Sequence, residues 1–424
     1  MVTEPPTSTS NIWGDRLFAI LTILVGISFL AILVLGSYYD QPITQALSYE
    51  VDDLNCDTLT QGFGRHCFSD YQIPNIYLDE PNIWEEMQYS PTALIPHILA
   101  NESSKLIGER AALLTYLLIL ASAVMVPSIV VVRKTWLHTR SVLPLLLIGV
   151  ATIPFVFTID RGNSVGFVVP LLMIVAFRLR EKADWTVTVA IIGAAAIRPQ
   201  FALLAIGLIA FGQFKQVSIA AVGSVLINVA PFLLIRGDRT ENISNWLGNV
   251  FEYQNYSSFG EIYPVKLSLV QALYNVFDFT NNPNNADFVV QQMTFVSLVA
   301  LLVICTTVFV YRKRMSRPHA VVISLIAPTL LTSSSFGYYS VFVLVIAARI
   351  FLFDDFDKQS NLWMWILVGS TALSLAPLPF VFEIGRNSIV LEQFGLIWTI
   401  VLITTLFQLR KRADTETSDE RNAG

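Results

Sequence analysis

A succession of apolar runs, each closed off by polar or charged residues, constrains this chain more than any other feature. The runs lie at roughly 17–38, 111–132, 142–158, 164–178, 217–235, 290–310, 320–334, 338–353, 361–382 and 388–408. About 20 apolar residues carry a helix across the hydrocarbon core of a bilayer. Backbone polar groups in hydrocarbon must be satisfied within the protein, which suits helices. The stretch 185–212 is also apolar, but Arg198-Pro199 interrupts it. Proline ends or kinks a helix, so two short helices meeting at the outer membrane face are expected there. The sequence predicts an all-α polytopic membrane protein with about twelve membrane helices, and 10–13 as the range.

Composition agrees. Of 424 residues, 54% are hydrophobic and only 14% charged, where soluble domains run near a quarter charged. The net charge of −5, with no basic patch interleaved with aromatics, argues against nucleic acid as a partner. The first 16 residues are polar and read as a disordered cytoplasmic tail. The run Leu17 to Gly36 has no small-residue cleavage site and reads as an anchor, not a removed signal peptide.

Positive residues orient the bundle. Arg133-Lys134 with Arg140, then Arg178, Arg180 and Lys182, then Lys215, Arg312-Lys313-Arg314 with Arg317, and Arg410-Lys411-Arg412 fall on alternate connections. They place those connections and both termini in the cytoplasm, within one membrane domain spanning 17–408 and a tail at 409–424. The acidic loop Asp354–Lys358 is an exception. The outer side then receives two large loops, 39–110 and 236–289, and short turns at Asp160–Asn163, Arg198–Gln200, Ser333–Tyr338 and Glu383–Asn387. Loop 39–110 holds twelve acidic residues and many aromatics, among them Tyr71, Tyr77, Trp84 and Tyr89. An unstructured tether would be depleted in aromatics, so packed or interfacial structure is expected over Ile73–Leu78 and Tyr89–Leu99. Loop 236–289, with Trp246, Phe251 and Tyr253, reads either as a half-embedded helix or as an acceptor-binding wall. Cys56 and Cys67, with ten residues between them in the first loop, can form a disulfide in an oxidising compartment, or remain two thiols.

Several chemistries find no signature. There is no phosphate-binding glycine loop, no dinucleotide fingerprint, no Gly-x-Ser-x-Gly and no metal-ligand cluster, since His66, His97, His138 and His319 are scattered. No cofactor is called for, although a divalent metal is left open. What remains is carboxylates on the outer side beside aromatics and arginines. A carboxylate can act as general base toward an acceptor hydroxyl. Asp40, at the tip of the first helix, and Asp70, just past the cysteine pair, are the candidates; Asp52, Asp53 and Asp57 read as a solvated run. Asp160-Arg161 is either an internal ion pair or, with Asn163, a grip on a lipid-linked phosphate, because the arginine fork matches phosphate oxygens. Arg198 also has two readings, snorkelling to the headgroups or phosphate contact. Tyr338 and Tyr339, at another outer helix end, are placed to bond a sugar or phosphate, or serve as belt aromatics.

Asp160-Arg161-Gly162-Asn163, followed by an apolar helix, a basic turn and Gly193-Ala-Ala-Ala-Ile-Arg198-Pro199, resembles glycosyltransferase family 87 of the C-type superfamily. In that family a Gly-Gln-Asn or Arg-Gly-Asn element precedes a small-residue helix ending in Lys-Pro. Arg198 stands here where lysine is usual, with the charge kept. Tyr89-Ser90-Pro91 resembles the family's Tyr-Pro-Pro element. The likeness covers roughly residues 17 to 235. It implies a polyprenyl-phosphate-linked sugar donor, an acidic base in the first outer loop, inversion, and no nucleotide sugar at the site. It further implies mannosyl transfer to a glycolipid or glycan acceptor at the cell membrane, as in actinobacterial envelopes. It favours Asp40 as base, while the long insertion with its cysteines keeps Asp70 in contention; Tyr89, Tyr339 and Trp246 are the expected sugar or acceptor contacts. The rival classes are a lipid-linked-sugar flippase, which would place ionisable groups deep within helices, and a polysaccharide polymerase or ligase.

Overall fold

A computed structural model describes residues 11–38, 68, 70–71, 74, 78, 83–85, 87, 89–139, 146–235, 238–256, 268–279, 292–332, 337–357, 359–376 and 394–423. Regular structure among them is helical throughout, with no strand. The first half contains α1 (Ile12–Tyr38), α2 (Ile95–Ile107), α3 (Glu109–Val124), α4 (Val126–Thr139), α5 (Ile153–Arg161), α6 (Val169–Arg178), α7 (Trp185–Ile197) and α8 (Ile206–Ala210). The second contains α9 (Phe214–Val229), α10 (Arg239–Tyr256), α11 (Leu269–Phe279), α12 (Met293–Tyr311), α13 (Arg317–Leu330), α14 (Phe342–Leu352), α15 (Asn361–Leu375) and α16 (Phe394–Ala423).

Local chemistry sets the helix ends. Thr152 accepts from the Phe155 N–H at 3.4 Å to start α5, and Asp184 accepts from the Thr186 N–H at 3.0 Å to start α7, which satisfies orphan donors of the first turn. α3 and α4 meet at a 48° bend, where Pro127 lacks the N–H that would continue the ladder. Helix α7 stops at Arg198, in extended backbone (φ −147, ψ 118), and Pro199 opens a 3-10 segment that leads into α8. The break expected in 185–212 falls at Arg198-Pro199.

The core lies around α13 and α14, buried from Pro318 to Leu330 and from Phe342 to Ile350. α14 packs on α4 and α6, and α7 on α6 and α9. The outer helices turn large apolar side chains outward, as with Leu302 of α12 and Val225 of α9, the pattern of a lipid-facing surface. Three helices among the described residues are long and apolar enough to cross a membrane, at Ile12–Leu30, Phe214–Leu234 and Thr294–Arg314, and the bent pair Glu109–Lys134 makes a fourth. The expected count of about twelve is met only to that extent. Other apolar runs fold as helices of 10–17 residues, such as Trp185–Ile197 and Asn361–Leu375, each shorter than a hydrocarbon core requires.

The bundle has two polar ends. At one, Asn11 donates to the Ile350 carbonyl at 2.7 Å, Arg317 donates to the carbonyls of Leu179 (2.8 Å) and Phe177 (2.6 Å), and Arg349 pairs with Asp355. Arg317 thus meets the carbonyls that the C-terminus of α6 leaves open, and Asn11 those near the end of α14. The other end gathers the C-termini of α5 and α7, the turn at Tyr339 and parts of the first large loop. The two large loops pack together there: α10 lies on the turn Ile83–Glu85, and Asn249 donates to the Trp84 carbonyl at 2.8 Å. Helix α1 begins at Ile12, inside the stretch expected to be a tail, and α16 continues to Ala423.

Candidate functional site

The turn after α5 is built around one glycine. Gly162 adopts left-handed backbone (φ 63, ψ 30); its N–H bonds the Ile159 carbonyl and the Asn163 N–H bonds that of Thr158, both at 3.0 Å. This is the paired C-terminal closure that glycine favours. A Cβ here would also lie 2.9 Å from the Cβ of Tyr71, so conformation and close approach both require glycine. Tyr116 of α3 donates to the Gly162 carbonyl at 3.0 Å.

That turn aims two side chains at Asp70. Arg161 donates from Nε to Oδ2 at 3.0 Å and from Nη2 to Oδ1 at 3.3 Å, a two-pronged fork. Asn163 donates from Nδ2 to Oδ2 at 2.8 Å, while its Oδ1 accepts from the Val165 N–H at 2.8 Å. Arg161 and Asp70 expose only 10% and 12% of their side chains, so the pair is shielded enough for the fork to fix the carboxylate. Phe68, just before Asp70, has φ 45, a rare conformation for a bulky residue, and its carbonyl accepts from the Tyr71 N–H at 2.9 Å.

Arg198 forms the second half. Its Nη2 donates to the Tyr89 hydroxyl at 2.8 Å, and its guanidinium carbon stands 4.0 Å from the centre of that ring. Burial pushes the Tyr89 hydroxyl up to about 12, against the charge of Arg198 and with that of Asp70, so Tyr89 stays protonated. His97 of α2 is fully buried, its ring 5.7 Å from Tyr89, 5.8 Å from Tyr116 and 6.4 Å from Tyr71. Burial and then the charge of Arg198 lower it to about 3, with the Tyr71 backbone opposing. The imidazole is therefore neutral. Tyr339 is buried 6.1 Å from Phe201, within electrostatic reach of Arg198 and Asp70.

The structure thus brings together Asp70, Arg161, Asn163, Arg198, Tyr89 and Tyr339, drawn from five separate stretches of chain. Arg161 reaches across the fold to Asp70, and neighbouring Asp160 is also buried. Trp246 lies 5.5 Å from Phe232, in an apolar cluster that also holds Tyr89. Asp40, Cys56 and Cys67 lie outside the described residues. Among those described, no group of three His, Cys, Asp or Glu is placed to hold a metal. Tyr71, His97 and Tyr116 were not singled out as site residues from the sequence; Tyr71 adjoins Asp70, but nothing local marks the other two.

Comparison with known proteins gives one match. The model of glycosyltransferase family 87 matches residues 88–334, more than half of the chain. That segment contains Tyr89, His97, Asp160–Asn163 and Arg198, and extends well past residue 235; Asp40 and Asp70 precede it. No curated protein and no solved structure matches.

Proposed function

The chain belongs to glycosyltransferase family 87, and on that premise we propose that it moves mannose from a polyprenyl-phosphate donor to a glycolipid or glycan acceptor, with inversion. The family makes it a membrane glycosyltransferase; donor, sugar, acceptor and side are our reading. The observation that carries the reading is the clasp on Asp70. A base for acceptor activation must be held rigidly at a polar end of the bundle, and Asp70 is held in that way at the end that also carries Arg198, Tyr89 and Tyr339.

In this scheme the acceptor oxygen attacks the anomeric carbon as Asp70 takes its proton. The bond from that carbon to the phosphate oxygen breaks, and the electron pair leaves with the lipid phosphate. Charge grows on the leaving phosphate, and Arg198 is the cation that meets it. Arg161, assigned to the phosphate on sequence grounds alone, is better suited to holding Asp70, because its fork is already directed there. Asp40 remains the alternative base. The alternating basic connections support an outer location for this end, and the shorter apolar helices would complete a bundle of about twelve membrane segments. Purified protein incubated with polyprenyl-phosphate mannose, and separately with polyprenyl-phosphate arabinose, should release lipid phosphate faster from the mannose donor. Equal or reversed rates overturn the sugar assignment, and release from neither overturns the donor class.

A further inference from the structure

We propose that Asn228 of α9 and Thr92, just before α2, are positioning residues for Arg198, each holding a helix carbonyl that a proline has set free. This rests on the phosphate role given to Arg198 above. Proline has no N–H, so the carbonyl four residues before it loses its helical donor. Pro199 does this to Ala195 at the end of α7, where the Arg198 N–H closes the helix on the Ala194 carbonyl. Pro231 does it to Ile227 at the end of α9, where the Ala230 N–H closes on the Leu226 carbonyl. Carbonyls freed in an apolar bundle need a donor from elsewhere in the protein.

Side chains from neighbouring segments supply both. Asn228 donates from Nδ2 to the Ala195 carbonyl at 3.0 Å and to the Ser224 carbonyl of its own helix at 2.8 Å. It is buried, and its Oδ1 has no partner among the described residues, so this amide serves through its donors. Thr92 donates from Oγ1 to the Ile227 carbonyl. Adjacent residues of α9 therefore hold both members of one contact, in which Tyr89 accepts from Arg198 at 2.8 Å. Ala195 lies three residues before Arg198. Thr92 lies three after Tyr89, in a turn where the Leu94 N–H bonds the Ser90 carbonyl at 3.2 Å. Phe232, just past Pro231, packs in the same apolar cluster as Tyr89. One turn of α9 thus sets where the guanidinium stands when charge grows on the leaving phosphate.

The test uses the full chain in nanodiscs with polyprenyl-phosphate mannose. Thr92→Val keeps the shape and removes the hydroxyl, and Asn228→Leu does the same for the amide. Each should lower kcat about tenfold with donor KM within about twofold, while Thr92→Ser retains the parent's kcat. In Arg198→Lys, where the fork is already lost, either substitution should cost less than about twofold more. Hydrogen exchange reads the two latches with no substrate present. The Arg198 N–H bonds the Ala194 carbonyl at 3.1 Å and the Phe201 N–H bonds that of Arg198 at 3.0 Å. Both amides should exchange about tenfold faster in Thr92→Val and Asn228→Leu, with those of α13 unchanged. Unchanged exchange at Arg198, equal losses in Thr92→Ser and Thr92→Val, or a further tenfold loss in the Arg198→Lys background overturns the proposal. Faster exchange with kcat unmoved keeps the latches and overturns the phosphate role of Arg198.

Discussion

At the scale of single residues, Arg161 has two possible duties that one substitution separates. Lysine keeps the charge but not the planar fork that meets both oxygens of Asp70. Arg161→Lys is expected to lower kcat about tenfold and leave the donor KM near its original value, because the base is displaced and the phosphate contact is not. A raised donor KM with kcat intact would return Arg161 to the phosphate. His97 supplies a pH test. Its folded value of about 3 lies below its ordinary 6.5. The unfolded chain therefore takes up a proton below about pH 6.5 that the folded chain refuses until about pH 3. Its contribution is complete above 6.5 and is lost as pH falls through that window. Thermal unfolding of purified protein between pH 7 and 5 should show a shallower loss in His97→Asn than in the parent, and equal slopes would contradict this.

At the scale of elements, the helix ends decide the geometry. Gly162 closes α5 and lets Tyr71 approach, so Gly162→Ala should cost about 1–3 kcal/mol and lower the thermal midpoint together with activity. A midpoint equal to that of the parent would show that the turn relaxes freely. The break at Arg198-Pro199 is legible in sequence because proline acts locally through its missing N–H and fixed φ. The polar end at Asp160–Asn163 is legible for a similar reason, as charge interrupting an apolar run. The partnership of Arg161 with Asp70 is not, since 91 residues separate them and only the packing of α5 against the first loop joins them. His97 is hidden in the same way: one histidine in an amphipathic stretch gives no sign that three tyrosines surround it.

At the scale of the whole molecule, hydropathy reads the class correctly, since backbone groups in lipid leave few alternatives to helices. It reads the number of spans less well. Broken and bent segments such as Pro199–Ala210 satisfy composition without the length of a span. The clustering of Arg317 with the carbonyls it bonds and of Arg349 with Asp355 at one end, with Asp70, Arg161 and Arg198 at the other, gives a topology test. Thr240 and Lys313 are both exposed. A membrane-impermeant maleimide applied to intact cells should label Thr240→Cys above the parent's background and reach Lys313→Cys only after permeabilisation. The reverse pattern would invert the assignment of sides.

In the proposed reaction the carboxylate clasped by Arg161 and Asn163 removes the acceptor proton. The most direct measurement is the release of lipid phosphate from polyprenyl-phosphate mannose by purified Asp70→Asn, beside Asp40→Asn and the parent. Asp70→Asn should lose about 10²- to 10⁴-fold in kcat with donor KM little changed, while Asp40→Asn should stay close to the parent. Full turnover in Asp70→Asn, with the loss falling on Asp40→Asn, would contradict it.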